Sequence, residues 1–165
     1  MGRSNLEKLQ VYQLSEKLAE ISNYQSAIIN YQLVMNKLVI LCVDDEKVVL
    51  KSLKRQLKQA FGNTYQYEFA ENADDALELM HQLTQEEIRI ILIVSDWLMP
   101  GMKGDEFLIK VHQEFPQIVK VMLTGQADES AIERAKVQAN LHCCLHKPWS
   151  EAELLETIKS GLAQL

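Results

Sequence analysis

The sequence predicts an α/β fold: a doubly wound parallel sheet of five strands with helices on both faces, preceded by an N-terminal α-helix. Three observations carry that expectation. Short runs that are apolar throughout alternate with amphipathic stretches of helical period, as strands buried on both faces and their crossover helices must. From Leu6 to about Met35 there is neither proline nor glycine, so the opening stretch reads as one helix. The chain of 165 residues, 47% apolar, can build one core of ordinary size plus an appendage.

In the opening helix Val11, Leu14, Leu18, Ile21, Gln25, Ile28, Gln32 and Met35 recur at alternating steps of three and four. Such a seam suits a parallel dimeric coiled coil, a helix docked on its own domain, or the tail of an upstream domain. The expected division is therefore 1–36 as helix, dimer coil or signalling linker, and 37–165 as the globular domain. Residues 38–43, apolar on all sides, make the first strand, and Val49, Leu50, Leu53, Leu57 and Phe61 mark the helix after it. The alternation continues as strand 65–69, helix 73–83, strand 88–94 and helix 106–115. It closes with strand 119–123, helix 130–138, strand 141–145 and helix 151–162. Asn72 is placed to cap the second helix of the domain, and Ser150 with Glu153 forms a capping box for the last.

Functional groups of such a sheet gather outside the carboxyl ends of its strands. The first strand runs into Asp44-Asp45-Glu46, the third into Asp96, the fourth into Thr124-Gly125 and the fifth into Lys147-Pro148. Carboxylates brought that close raise one another's pKa unless a cation sits among them, and hard oxygen donors without histidine or cysteine suit magnesium. A carboxylate beside magnesium and an ammonium group can attack a phosphoryl donor while the cations neutralise the charge on the phosphoryl oxygens. Asp96 is the expected nucleophile, Asp45 a direct metal ligand and Asp44 a water-mediated one. Leu98 would offer its main-chain carbonyl to the metal, and Lys147 and Thr124 would hold phosphoryl oxygens. Pro100, Gly101 and Gly104 shape the loop behind Asp96 so that backbone can come close.

The ordered set "VDDE", "SDWLMPGMKG", "LTG" and "KPW" resembles the receiver domains of two-component response regulators over about 37–165. The resemblance implies a flavodoxin-like sheet of strand order 2-1-3-4-5, a cis Lys147-Pro148 peptide, and transfer of phosphate to Asp96 from a histidine kinase or phosphotransfer protein. It also implies a switch in which Thr124 moves toward the phosphoryl group and an aromatic residue of the fifth strand turns inward. At that aromatic position, three residues before Lys147, this chain has Cys144.

Other classes are disfavoured. A formal net charge of −6 without clustered Lys or Arg argues against a nucleic-acid partner, and no apolar run is long enough to span a membrane. Cys42, Cys143 and Cys144 form no disulfide framework, which fits a reducing cytoplasm. His142, Cys143, Cys144 and His146 cannot converge on a metal, because alternate residues of one strand point to opposite faces. His81 and His112 are expected on outer helix sides, and Trp97 and Trp149 flank the acidic edge, either as half-buried rim packing or facing a partner. The protein is expected to catalyse only its own phosphorylation and dephosphorylation. A phosphatase with an aspartyl-phosphate intermediate would need a second carboxylate where Leu98 stands. A docking scaffold with the acidic site kept and the switch lost is the alternative that Cys144 suggests.

Overall fold

The computed structural model describes residues 5–35, 38–126 and 129–165, with side chains of the opening helix described over 12–30. The chain divides into two compact units, Met1–Met35 and Asn36–Leu165. In the first, α1 (Asn5–Met35) is a continuous helix of 31 residues, about 46 Å long. Leu14, Leu18, Ile21 and Ile28 of its expected seam are all more than half exposed. The side chains of Val11, Gln32 and Met35 lie outside the described residues, as do Asn36 and Lys37 at the expected boundary.

The second unit runs β1 (Leu38–Val43), α2 (Lys47–Phe61), β2 (Gln66–Ala70), α3 (Ala73–Gln85), β3 (Arg89–Asp96), α4 (Gly104–Glu114), β4 (Val119–Thr124), α5 (Glu129–Ala139), β5 (Cys143–His146) and α6 (Glu151–Leu162). The strands are all parallel, in the order β2-β1-β3-β4-β5. Alternation along each strand makes two apolar layers. Ile40, Cys42, Val94, Val121 and Leu123 pack with Leu53 and Leu57 of α2 and Leu154 and Ile158 of α6. Val39, Leu41, Ile93 and Met122 pack with Met80 of α3, Phe107 and Leu108 of α4 and the alanines of α5. A register shift between Val39 and Ile40 lets β3 place Ile91 and Leu92 on the same side, which resets the phase of the strand before it reaches Asp96.

Seven elements, β2, α3, β3, α4, β4, α5 and β5, differ in their bounds from the sequence reading by one or two residues. β2 begins and ends one residue later than expected, at Gln66 and Ala70. β3 continues to Asp96 because β4 pairs with it to the end, Asp96 opposite Leu123. α4 begins at Gly104, whose N–H closes the preceding loop on the carbonyl of Trp97 at 2.8 Å. β5 begins at Cys143 rather than 141: Asn140 leaves α5 with φ of 50°, and the Leu141 N–H turns back to the carbonyl of Ala135. The caps fall where expected, Asn72 accepting from the Asp75 N–H and Ser150 with Glu153 forming the reciprocal box. Among the described residues no helix is long and apolar enough to cross a membrane.

Candidate functional site

Strands β1, β3 and β5 all point their carboxyl ends to one edge of the sheet, and that edge collects the charges. Ligand oxygens of Asp44, Asp45 and Asp96 lie within 4.8 Å of one another. The ammonium of Lys147 donates to Asp44 Oδ2 at 2.8 Å and pairs with Asp96 Oδ1 at 2.9 Å, with Glu46 farther off at 3.7 Å. Asp44 is fully buried and its Oδ1 also accepts the Glu46 N–H at 2.8 Å, while Asp45 stands exposed at the rim. The Lys147-Pro148 peptide is cis.

One ammonium cannot neutralise three carboxylates. Burial pushes Asp44 and Asp96 above the usual carboxylate range, and the bond and charge of Lys147 only partly offset it. Lys147 moves the other way from what its own burial would do: the two carboxylates hold its proton and raise its pKa. Two negative charges remain, and every donor is a hard oxygen. That donor set fits a small divalent cation that keeps part of its water.

A groove of about 620 Å³ opens over these groups, lined among others by Asp45, Asp96, Leu98, Pro100, Gln126 and Lys147. Thr124 is buried at the end of β4, and its Oγ1 accepts the Gln126 N–H at 3.1 Å. The loop after Asp96 is held tightly from behind. A Cβ on Gly104 would stand 2.0 Å from the carbonyl oxygen of Asp96, so only glycine lets α4 start this close to the acidic edge.

Residues 40–159 match the model of the response regulator receiver domain. The chain belongs to that family. The receiver is 31% identical over 129 residues to the chemotaxis protein CheY-3 of Vibrio cholerae, covering 76% of this chain and 92% of CheY-3. It is 30% identical over 123 residues to the hydrogenase transcriptional regulatory protein HoxA of Cupriavidus necator, of whose length it spans 24%. A crystal structure of a CheY-like receiver domain protein from Methanospirillum hungatei superposes with a TM-score of 0.67 at 32% identity, covering 76% of this chain and 94% of that one.

Within the receiver, Asp44, Asp45, Asp96, Leu98, Thr124 and Lys147 reach one edge, whereas His81, His142, Cys143 and Cys144 are engaged elsewhere. Cys144 packs toward the α3–α5 layer, whereas the Cys143 sulfur lies 3.9 Å from Thr157 Oγ1 of α6. His142 bonds Ser160 and Gln164, and His81 bonds Glu114. Both indole N–H groups are turned into the fold: Trp149 donates to Gln56 at 3.1 Å and Trp97 to Asp105 at 3.0 Å. Sequence reasoning missed three charged groups of the receiver. Asp105 is fully buried and paired with Arg134, and Lys120 is fully buried beneath the end of α4. Asp105 and Arg134 meet from different helices, and Lys120 is covered by His112 of α4 as well as by the carbonyls just before it, so no local pattern announces their burial.

Proposed function

We propose that the receiver is a phosphoacceptor that takes a phosphoryl group from the phosphohistidine of a histidine kinase or phosphotransfer protein onto Asp96. The observation that carries the reading is the cluster itself: three carboxylates within 4.8 Å with one lysine bridging two of them. Asp45, Asp96, the Leu98 carbonyl and, through water, Asp44 would hold magnesium. When bound, that ion supplies positive charge to the oxygens of the transferring group. The Asp96 carboxylate attacks phosphorus, the P–N bond of the donor breaks, and the imidazole leaves with its electron pair. Lys147, released from Asp96, follows the negative charge onto a phosphoryl oxygen, and the Thr124 hydroxyl turns from Gln126 to donate to another. An apolar groove of about 430 Å³ beside Lys147, lined by Val48, Val49, Ser52, Gln56, Pro148 and Trp149, gives the donor protein a surface adjacent to the acceptor.

Turnover of outside substrates is not part of this reading. The residue two after Asp96 is Leu98, 60% exposed and without an acid to protonate a leaving group or activate water. The exposed Leu14, Leu18, Ile21 and Ile28 on α1 support association of two copies through that helix in the reducing cytoplasm. The scaffold reading rests on Cys144 alone, and it requires that loading the site change neither oligomeric state nor partner binding.

The test is incubation with magnesium and either acetyl phosphate or beryllofluoride. Wild type acquires one phosphoryl group or fluoride adduct and Asp96→Asn acquires none; equal response from both removes the assignment. Deleting residues 1–36 leaves loading intact and lowers the sedimenting mass, and a truncated chain that associates as before rules out the helix as the contact.

A further inference from the structure

Directly after the acceptor, Trp97 is buried, its N–H bonded to the Leu123 carbonyl and its own carbonyl to the Gly104 N–H, both at 2.8 Å. Its indole donates to Asp105 Oδ1 at 3.0 Å. The other oxygen of Asp105 receives Arg134 of α5, through Nε at 2.9 Å and through the guanidinium end. A single buried carboxylate therefore ties the residue beside Asp96 to the middle of a helix two elements away in sequence.

That helix packs on the domain largely with small side chains. Its buried face is Ala131, Ala135 and Ala139. An alanine methyl removes far less apolar area from water than a leucine side chain. The pairing of Arg134 with the buried Asp105 adds a directional bond between α5 and α4. It is also asymmetric: Asp105 cannot stay in the interior without its cation, because an unpaired carboxylate is strongly disfavoured there. A displacement of Trp97 must either break the indole bond or carry Asp105 and Arg134 with it. On β5, where an aromatic side chain would provide the inward-turning element, Cys144 is too small to push a helix.

Resting on the phosphoacceptor reading, we propose that Trp97, Asp105 and Arg134 are the connection through which the state of Asp96 reaches α5, in place of an aromatic residue on β5. Arg134 is a positioning residue: it touches neither acceptor nor metal ligands. By reciprocity, whatever partner binds α5 alters the affinity of the acidic edge for phosphoryl analogues by the same factor.

The experiment is amide hydrogen exchange over 129–139, with and without magnesium and beryllofluoride, with fluorine NMR reporting loading in the same samples. In wild type, exchange in α5 changes by about tenfold on loading. Arg134→Met loads as wild type does, but its α5 exchange responds by less than about twofold. Trp97→Phe, which removes the indole N–H and keeps an aromatic ring, behaves likewise and carries the test should Arg134→Met fail to fold. Arg134→Lys restores part of the response. An unchanged α5 in loaded wild type, or a full response in both variants, overturns the connection and leaves the acceptor assignment standing. A wild type that does not load at all overturns the acceptor assignment and this connection together.

Discussion

Lys147 and Asp44 meet at 2.8 Å across a separation of 103 residues, and the same ammonium reaches Asp96 at 2.9 Å. Removing an acid and removing the base therefore act in opposite directions. Asp96→Asn takes away one of the carboxylates that burial disfavours, and the metal-free protein gains about 1 kcal/mol at neutral pH. Lys147→Met leaves Asp44 and Asp96 buried without a cation and costs about 3 kcal/mol, most of it recovered on adding magnesium. Urea unfolding in EDTA and in magnesium reads both; a stabilised Lys147→Met would contradict the charge arrangement.

The raised values of Asp44 and Asp96 set the pH response. Their contribution to stability is fully present below the ordinary carboxylate pKa and is lost as pH rises through the raised folded values, because the folded state binds those protons more tightly. The gain from Asp96→Asn accordingly shrinks in acid. Magnesium competes with the same protons, so its affinity falls on acidification from a pH above the ordinary carboxylate range, by about tenfold per pH unit for each proton displaced. Calorimetric titration across that range would expose a flat profile.

Gly104→Ala tests the closeness of α4 to the acidic edge. The added Cβ would lie 2.0 Å from the Asp96 carbonyl oxygen and 2.8 Å from Trp97 Cα, both main-chain atoms that cannot swing away. We expect a loss of about 2 kcal/mol or more and a fall in beryllofluoride loading, since the loop bearing Leu98 must move. Thermal unfolding together with fluorine NMR separates the two effects.

Lys120 lies under the carboxyl end of α4, its ammonium donating to the Ile118 carbonyl at 2.7 Å, the Pro116 carbonyl at 3.2 Å and His112 Nδ1 at 3.1 Å. Burial lowers its pKa to about 8, and burial together with the Lys120 charge lowers that of His112. Between pH 8 and its ordinary value the unfolded chain binds the extra proton, so stability rises with pH through that window. The stability of wild type relative to Lys120→Met should climb from about pH 8 upward, and a constant difference would mean that Lys120 titrates normally.

Much of the fold is visible in one dimension because a strand buried on both faces must be apolar throughout and a covering helix must show its stripe. Leu38–Val43 and Arg89–Asp96 announce themselves in this way. Edge strand β5 is less legible: only four residues pair, and where pairing starts depends on how Asn140 and Leu141 leave α5. The acidic edge was readable because its residues follow immediately on the strand ends, where parallel topology forces them together.

The order of apolar runs and the identity of the residue after each one determined the sheet, the acidic edge and the lysine facing it, since these follow from covalent succession and the direction of parallel strands. Tertiary packing alone decided that Asp105 bonds Trp97 and Arg134, that Lys120 is roofed by α4, and that Lys147 divides itself between Asp44 and Asp96. Each of those bonds joins elements whose separation is set by side-chain volumes across the whole core, a quantity that no short stretch of chain contains.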